Sequence, residues 1–149
     1  MIKIAGKRII DYLMEKLMEC FPKNTEICFI VGYKKKQIME YLNQNYKHYF
    51  NLIYVEQQPV GYKKEIPYFS GLGDAIALAA PYARNKDVFI FLSDRLPLES
   101  YKTMIKKMTK DKLDGVINVR KVEEPQHYGI VCLDKDKIIT RVIEKPKDP

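Results

Sequence analysis

The chain has 149 residues, with 26 lysines and arginines against 19 aspartates and glutamates, and so carries a formal net charge of +7. This length predicts one domain, over residues 1–149, that is large enough to bury a hydrophobic core. No apolar run approaches the ~20 residues that cross a bilayer, and the N-terminal residues do not resemble a signal peptide. Three widely spaced cysteines without a CxxC pair favour reduced thiols, so we expect a cytoplasmic protein that is independent of membranes.

The positive charge raises the question of nucleic-acid binding. The lysines are scattered along the sequence, and the densest run, Lys34–Lys36, stands at the start of a predicted helix. The sequence contains no RGG tract, helix-turn-helix pattern or RNP-like aromatic motif. We therefore do not expect nucleic acid as the main partner, and the charge would equally suit a nucleotide or a sugar phosphate.

The first third of the chain predicts alternating helices and strands. Apolar residues at helical spacing predict a helix within residues 6–20, and a β-rich apolar run predicts a buried strand at Thr25–Val31. The turn Gly32-Tyr33 leads into a predicted helix at Lys34–Tyr46, which is followed by a predicted strand at Asn51–Glu56. This succession is typical of βαβ units with a parallel sheet.

The stretch Asp87–Pro97 contains five consecutive apolar residues at Val88–Leu92. Such a run predicts a central strand that is buried on both faces, because a half-exposed strand would alternate. Asp94 follows this strand, at the position where ligands bind in open α/β sheets. From position alone, a role for Asp94 in capping the next turn or helix is an equally good explanation.

The remaining segments predict a loop, two helices and three strands. Residues 57–70, with two prolines and three aromatic residues, predict a long ordered loop or a hairpin. Gly71–Arg84 predicts a helix whose glycines could bring the backbone close to a ligand, although a tight turn needs the same glycines. Beyond the central strand, we predict a helix at Leu98–Lys110 and strands at Asp114–Arg120, Tyr128–Asp134 and Lys137–Ile143.

The order of short motifs resembles that of the sugar-phosphate nucleotidyltransferase family, and the resemblance covers nearly the whole chain. The motifs are Ile4–Lys7, Phe29–Leu42, Gln58-Pro59, Ser70–Ala75, Leu92–Asp94, Tyr128–Val131 and Val142–Pro146. The resemblance implies a Rossmann-like, three-layer α/β/α domain with a mixed, mainly parallel sheet. It also implies transfer of a nucleotidyl group from an NTP, with UTP or dTTP favoured, to a sugar 1-phosphate, with release of pyrophosphate.

The resemblance further implies the roles of individual residues. Gln58, through its side-chain amide, and Gly71, through its backbone, would contact the nucleobase. Asp94 would hold the Mg²⁺ that bridges the phosphates. Glu144 would accept hydrogen bonds from sugar hydroxyls, and Lys145 would pair with the sugar phosphate. The implied sugar-phosphate residues are Tyr128, Gly129, Glu144 and Lys145. Without the resemblance, Glu144-Lys145 would be an ordinary surface pair and Gly129 a bulge.

The sequence also departs from the family pattern. It contains no GGxGTR phosphate loop with its strand, Ser93 replaces a glycine, and the segment between Gln58 and Gly71 is longer than usual. We therefore expect a domain truncated at its N-terminus and incomplete or inactive as an enzyme. The alternative is a non-catalytic nucleotide-binding, sugar-binding or regulatory module on the same fold. Either protein could form a homo-oligomer through the open edge of its sheet.

Overall fold

The computed structural model describes residues 2–95 and 100–147. The chain divides into two compact units between Ile105 and Lys106, and the single domain predicted over residues 1–149 stays a prediction. The described elements of the first unit are β1 (Lys3–Ile4), β2 (Lys7–Arg8), α1 (Ile9–Cys20), β3 (Glu26–Val31), α2 (Lys35–Tyr46), β4 (Asn51–Glu56), β5 (Gly61–Lys63), β6 (Ile66–Tyr68) and α3 (Leu72–Ala83). Helix α4 (Lys102–Asp111) spans the division, and the second unit adds a 3₁₀ turn (Pro125–His127), β7 (Gly129–Leu133) and β8 (Ile139–Glu144).

A β–α–β unit forms the centre of the first unit. Strands β3 and β4 pair in parallel, with a register that runs from Glu26 opposite Asn51 to Val31 opposite Glu56. Helix α2 provides the crossover between them, as a parallel pair requires. The predicted strand–helix–strand order at residues 25–56 is therefore confirmed.

The hydrophobic core lies between this β–α–β unit and α1. The apolar stripe of α1 buries Leu13, Met14 and Leu17, which follow the helical repeat. Met14 and Leu17 belong to the same cluster as Leu42 of α2 and Phe50, whose side chains are at most 1% exposed. These contacts explain why the periodic segments of the sequence form helices here.

A polar contact joins α1 to α2 beside this core. The hydroxyl groups of Tyr41 and Tyr46 both donate to Asp11 Oδ1, at 2.6 and 2.8 Å. Asp11 Oδ2 also accepts from the backbone N–H of Arg8, at 3.3 Å, at the start of α1. Burial, followed by the hydrogen bond to Asp11, raises the pKa of Tyr46 well above its ordinary value.

The prediction of a buried central strand at Val88–Leu92 is wrong. The segment forms no strand, and Val88 and Ile90 are 48% and 54% exposed. Only one side of the segment packs inward. The centroid of the Phe89 ring lies 5.5 Å from the ring centroid of Phe21 and 4.9 Å from that of Tyr101. The physical reason is that β3 pairs with β4 alone, so the segment has no neighbouring strand within the described residues. Pro97 lies outside the described residues.

The segment between β4 and α3 forms a hairpin, which confirms one of the two predicted alternatives. Strands β5 and β6 are antiparallel, with Lys63 opposite Ile66. The turn residues Lys64 and Glu65 have φ values of 48° and 64°. Two successive positive φ values define the type I′ turn that suits a two-residue hairpin loop.

The second unit contains the predicted C-terminal hairpin. Strands β7 and β8 are antiparallel, from Gly129 opposite Glu144 to Leu133 opposite Ile139. Asp134 Oδ1 closes the turn, because it accepts from the backbone N–H groups of Asp136 and Ile138, each at 2.9 Å. The strand predicted at Asp114–Arg120 is wrong: these residues form no strand, because no other strand of the described chain pairs with them.

These elements confirm the α/β class. Residues 2–95 and 100–147 contain four two-stranded sheets, of which β3–β4 is the parallel one. The predicted three-layer, mainly parallel sheet is therefore not seen among them. Among the helices of residues 2–95 and 100–147, none combines the length and the hydrophobicity of a membrane-spanning segment.

Candidate functional site

The candidate site lies at the carboxyl ends of β3 and β4. Because these strands are parallel and in register to Val31 and Glu56, both chains leave the sheet at the same edge. The pairing continues for one bond beyond the strand, from the Gln57 backbone N–H to the Val31 carbonyl oxygen, at 2.9 Å. This edge is where open α/β sheets bind ligands.

Two clefts open at this edge, and Glu56, Gln57 and Gln58 form the wall between them. The hairpin cleft, of about 520 Å³, lies between the start of α2 and the β5–β6 hairpin. Its other lining residues are Gly32, Tyr33, Lys34, Lys35, Lys36, Gln37, Pro59, Tyr62, Pro67 and Phe69. The helix cleft, of about 390 Å³, lies against α3, and its other lining residues are Ser70, Asp74, Ala77 and Leu78.

The side chain of Gln57 ties the end of β4 to the start of α3. Its Nε2 donates to the Ser70 carbonyl oxygen at 3.3 Å and lies 3.0 Å from Ser70 Oγ. Gly71 follows directly and is the N-cap of α3. The Gln57–Ser70 contact therefore holds Gly71 in a fixed position relative to Gln58. The resemblance assigns these two residues, Gln58 and Gly71, to the nucleobase.

Gly71 itself stands in open space. A Cβ atom at this position would meet no atom within 4 Å, and the backbone is extended, with φ at −63°. Neither packing nor backbone strain therefore requires a glycine here. Free space next to the backbone is what the close approach of a planar ligand needs.

Gly32, in contrast, is required by packing. A Cβ atom at Gly32 would lie 2.7 Å from Cε1 and Cζ of Phe69. The aromatic ring therefore sits directly on the backbone that leaves β3, and it holds the segment after the hairpin against the sheet. This contact gives the hairpin cleft a fixed wall.

The side chains around the hairpin cleft carry an excess of positive charge. Lys35 Nζ forms an ion pair with Glu56, which neutralises both groups. Lys34 Nζ lies 5.3 Å from the centroid of the Tyr33 ring, and Lys34 has a positive φ of 57°. Lys36 forms no ion pair within the described residues. The cleft thus keeps two cations without an acidic partner.

Asp94 lies in a turn in which the Arg95 N–H donates to the Leu92 carbonyl oxygen at 3.1 Å. The residue is exposed, and its carboxylate has no hydrogen bond or ion pair in the part of the chain that the structure describes. The same residues contain no group of three His, Cys, Asp or Glu that could hold a metal. Asp94 offers one carboxylate, which fits Mg²⁺ because this ion is held by one or two carboxylates together with substrate phosphates.

The four predicted sugar-phosphate residues meet at one end of the β7–β8 hairpin. Gly129 pairs with Glu144 in the ladder, and the Lys145 N–H donates to the Tyr128 carbonyl oxygen at 3.0 Å. Glu144 Oε2 would lie 3.0 Å from a Cβ atom at Gly129, so this glycine leaves room for the carboxylate. Lys145 Nζ is 3.7 Å from Glu144 Oε1, and both side chains are exposed.

Sequence reasoning missed several of these contacts. It did not identify Gln57 as the bridge to Ser70, although two adjacent glutamines after a strand were a usable signal. It also missed Arg120, whose guanidinium carbon lies 5.9 Å from the centroid of the Tyr128 ring. No motif marks Arg120, because its position beside Tyr128 depends on the path of the chain between them.

Comparison with known proteins gives a match over the whole chain. The sequence profile of the Nucleotidyl transferase family matches residues 1–149. The chain is 26% identical over 151 residues to the low-salt glycan biosynthesis nucleotidyltransferase Agl11 of Haloferax volcanii, covering 100% of the chain and 39% of that protein. It is 30% identical over 153 residues to the bifunctional protein GlmU of Methanococcus maripaludis, covering 99% of the chain and 30% of that protein.

A third relative is the UTP–glucose-1-phosphate uridylyltransferase AglF of Haloferax volcanii. It is 24% identical to the chain over 151 residues, which cover 100% of the chain and 57% of that protein. The chain thus spans between 30% and 57% of the length of these three relatives.

Proposed function

Because the chain belongs to the nucleotidyl transferase family, we propose that it supplies nucleotide- and sugar-phosphate-binding surfaces for nucleotidyl transfer. The reaction transfers a nucleotidyl group from an NTP, with UTP or dTTP favoured, to a sugar 1-phosphate, and it releases pyrophosphate. The names of two relatives support this reaction, since one is a nucleotidyltransferase and one a glucose-1-phosphate uridylyltransferase.

The observation that carries the proposal is the helix cleft with Gln58 in its wall. The primary amide of Gln58 can donate and accept at once, which matches the adjacent donor and acceptor on the edge of a pyrimidine. Gly71 leaves its backbone open to a planar ring, and the Gln57–Ser70 contact keeps the two residues in a fixed relation. A preformed arrangement of this kind lowers the ordering cost of binding.

We assign the phosphate end of the reaction to Asp94 and the sugar phosphate to the end of the β7–β8 hairpin. When bound at Asp94, Mg²⁺ would neutralise charge on the phosphates of the nucleotide. Glu144 would accept hydrogen bonds from sugar hydroxyls beside Gly129 and Tyr128, and Lys145 would attract the phosphate. The exposure of Glu144 and Lys145 supports these roles, because both side chains are free to reorient toward a ligand.

We also propose that the β3–α2–β4 unit is part of a mainly parallel sheet between two helical layers. Its support is the parallel register of β3 with β4, together with the unpaired apolar segment Val88–Leu92. We place the reaction in the cytoplasm, since Cys20, Cys28 and Cys132 are all free thiols.

Thermal unfolding with ligand panels tests the proposed function. We expect UTP or dTTP, at about 100 times its dissociation constant, to stabilise the chain by about 2.7 kcal/mol, a shift of several degrees. Gln58→Ala should remove most of this shift, whereas Gln44→Ala, on an exposed face of α2, should keep it. An undiminished shift in Gln58→Ala would contradict the assignment of the nucleobase to the helix cleft.

The metal assignment has its own pair of variants in the same panel. Mg²⁺ should increase the rise in unfolding temperature that the nucleotide causes, and Asp94→Ala should abolish this increase. The control variant Asp87→Ala removes an exposed carboxylate seven residues earlier and should keep the increase. Equal responses of the two variants would exclude Asp94 as the metal ligand. Glucose 1-phosphate should stabilise the parent more than the Lys145→Ala variant.

A further inference from the structure

The hairpin cleft differs in chemistry from the helix cleft, although the two share one wall. The helix cleft is bordered on its other side by Ser70, the carboxylate of Asp74 and two small or apolar residues of α3. The hairpin cleft is bordered by three consecutive lysines and two tyrosines. At about 520 Å³ it lies within the size range of sites that hold small organic ligands.

The lining of the hairpin cleft carries more positive than negative charge. Glu56 is the acidic residue in its lining, and Lys35 already neutralises it. Lys34 and Lys36 remain as uncompensated cations at the start of α2, where the first turn contains no acidic residue. Cations at this end of a helix are unfavourable, because they repel the positive end of its dipole.

The backbone on this side is also unsatisfied. No side chain caps α2, and the N–H groups of Lys36 and Gln37 donate to no acceptor in residues 2–95 and 100–147. The two free N–H groups belong to residues that line the cleft, as do the two free lysines. An anion in the cleft could accept hydrogen bonds from the backbone and offset the lysine charges together.

The cleft also offers flat aromatic surface. Tyr62, on β5 of the hairpin, is 68% exposed, and Tyr33, beside Lys34 at the start of α2, is 51% exposed. Exposed tyrosines present a large rigid ring at small conformational cost, and such rings bind planar groups by stacking. The contact between Phe69 and Gly32 keeps the hairpin side of the cleft in place against β3.

We propose that the hairpin cleft is a second ligand site, separate from the helix cleft, and that it takes a phosphate-bearing aromatic ligand of the nucleotide class. The phosphates would lie at Lys34, Lys36 and the free N–H groups of α2, and the ring would stack on Tyr62. The two clefts lie on opposite sides of the Glu56–Gln58 wall, and the residues proposed to hold the phosphates and the ring, Lys34, Lys36 and Tyr62, line the hairpin cleft alone.

Isothermal titration of the full chain with ATP, pyrophosphate and adenosine tests the second site. We expect ATP to bind more tightly than pyrophosphate, because pyrophosphate lacks the ring, and more tightly than adenosine, because adenosine lacks the phosphates. Lys36→Glu should weaken ATP binding at least about 10-fold, since it replaces an attraction by a repulsion. Lys47→Glu, at the opposite end of α2, causes the same change in net charge and should leave the affinity within about 2-fold.

The aromatic contribution is tested by a second matched pair. Tyr62→Ala should weaken ATP binding by about 5- to 10-fold and leave pyrophosphate binding unchanged, whereas Tyr82→Ala on α3 should affect neither ligand. Equal losses in Lys36→Glu and Lys47→Glu would show that only net charge attracts ATP, and would overturn the proposal. No detectable ATP binding at millimolar concentration would overturn it as well.

Variants that line only one cleft separate this proposal from the proposed function, because UTP also carries phosphates and a ring and can enter both clefts. Titration with UTP should show two binding events, of which Lys36→Glu weakens one and Ala77→Leu, which fills the helix cleft, weakens the other. A single event that both variants weaken equally would show one shared site and refute the second. Two events of which Ala77→Leu weakens neither would instead count against the nucleobase assignment.

Discussion

At the scale of single residues, Gly32 makes the clearest structural prediction. Gly32→Ala places a Cβ atom within 2.7 Å of the Phe69 ring, so the ring and the segment that carries it must move. We expect a loss of about 1–3 kcal/mol in the free energy of unfolding, as is typical of overpacking. Urea denaturation monitored by circular dichroism measures this loss.

Two comparisons isolate the cause of that loss. Gly73→Ala makes the same substitution in α3, where a Cβ atom would meet nothing within 4 Å, and it should be neutral or slightly stabilising. In a Phe69→Ala background, Gly32→Ala should cost less than about 0.5 kcal/mol, because the obstructing ring is gone. A full-sized loss in that background would show that the Phe69 ring is not the cause.

The pair of tyrosines on Asp11 predicts a dependence of stability on pH. Burial and the hydrogen bond to Asp11 raise the pKa of Tyr46 in the folded chain, whereas a tyrosine in the unfolded chain ionises at about pH 10. The unfolded state therefore loses this proton first, so the stabilisation is complete below about pH 10 and declines as the pH rises further.

Urea denaturation between about pH 8 and pH 11 measures this decline. Tyr46→Phe should make the decline shallower than it is in the parent chain. Tyr41 adds to the effect, because its pKa is also raised by burial and by Asp11. If Tyr46→Phe and the parent chain lose stability in parallel across this pH range, ionisation of Tyr46 is not the cause of the pH dependence.

At the scale of elements, we expect side chains of the segment Val88–Leu92 to contribute less to the free energy of unfolding than side chains of the hydrophobic core. Phe50 is a core residue, only 1% exposed, and Phe50→Ala should lower the free energy of unfolding by about 3–5 kcal/mol. Phe91 is half-buried and lies on an unpaired segment, so Phe91→Ala should cost about 1–2 kcal/mol. Equal losses for the two variants, measured by denaturant unfolding, would support a central strand after all.

The elements that were predicted correctly are those determined by local sequence. Helices α1 and α2 follow apolar periodicity, α3 follows from glycines before a run of small and apolar residues, and the parallel pair follows from two apolar runs on either side of α2. The strands predicted at Val88–Leu92 and Asp114–Arg120 were wrong for a shared reason. An apolar run shows only that a segment could pair, whereas a strand forms when another strand supplies hydrogen bonds at the right distance.

At the scale of the whole molecule, the residues that the motifs single out form one group in each of the two compact units. The predicted residues Tyr128, Gly129, Glu144 and Lys145 do meet at one end of a hairpin, because ladder pairing brings them together. Gln58 lines both clefts, and Gly71 is tied to the same wall through Ser70. Their roles toward nucleotide and sugar remain predictions that rest on resemblance and chemistry.

The hairpin cleft could not be predicted from the sequence. Its lysines were visible as a basic run, and residues 57–70 were recognised as a loop or hairpin, but nothing local shows that the two face each other. That juxtaposition depends on the parallel register of β3 with β4 and on the packing of Phe69 against Gly32. Contacts between segments far apart in sequence are set by the fold rather than by local pattern.

The most direct test of the central claim, that the carboxyl edge of the β3–β4 pair binds a nucleotide, is a residue-resolved NMR titration. In the ¹⁵N-labelled chain, UTP with Mg²⁺ should shift the signals of Gln57, Gln58 and Gly71 in a saturable manner, and those of Gln58→Ala much less. Signals of the buried α1 residues Leu13 and Leu17 should remain in place. The absence of saturable shifts at Gln57, Gln58 and Gly71, or shifts confined to other parts of the chain, would contradict the account.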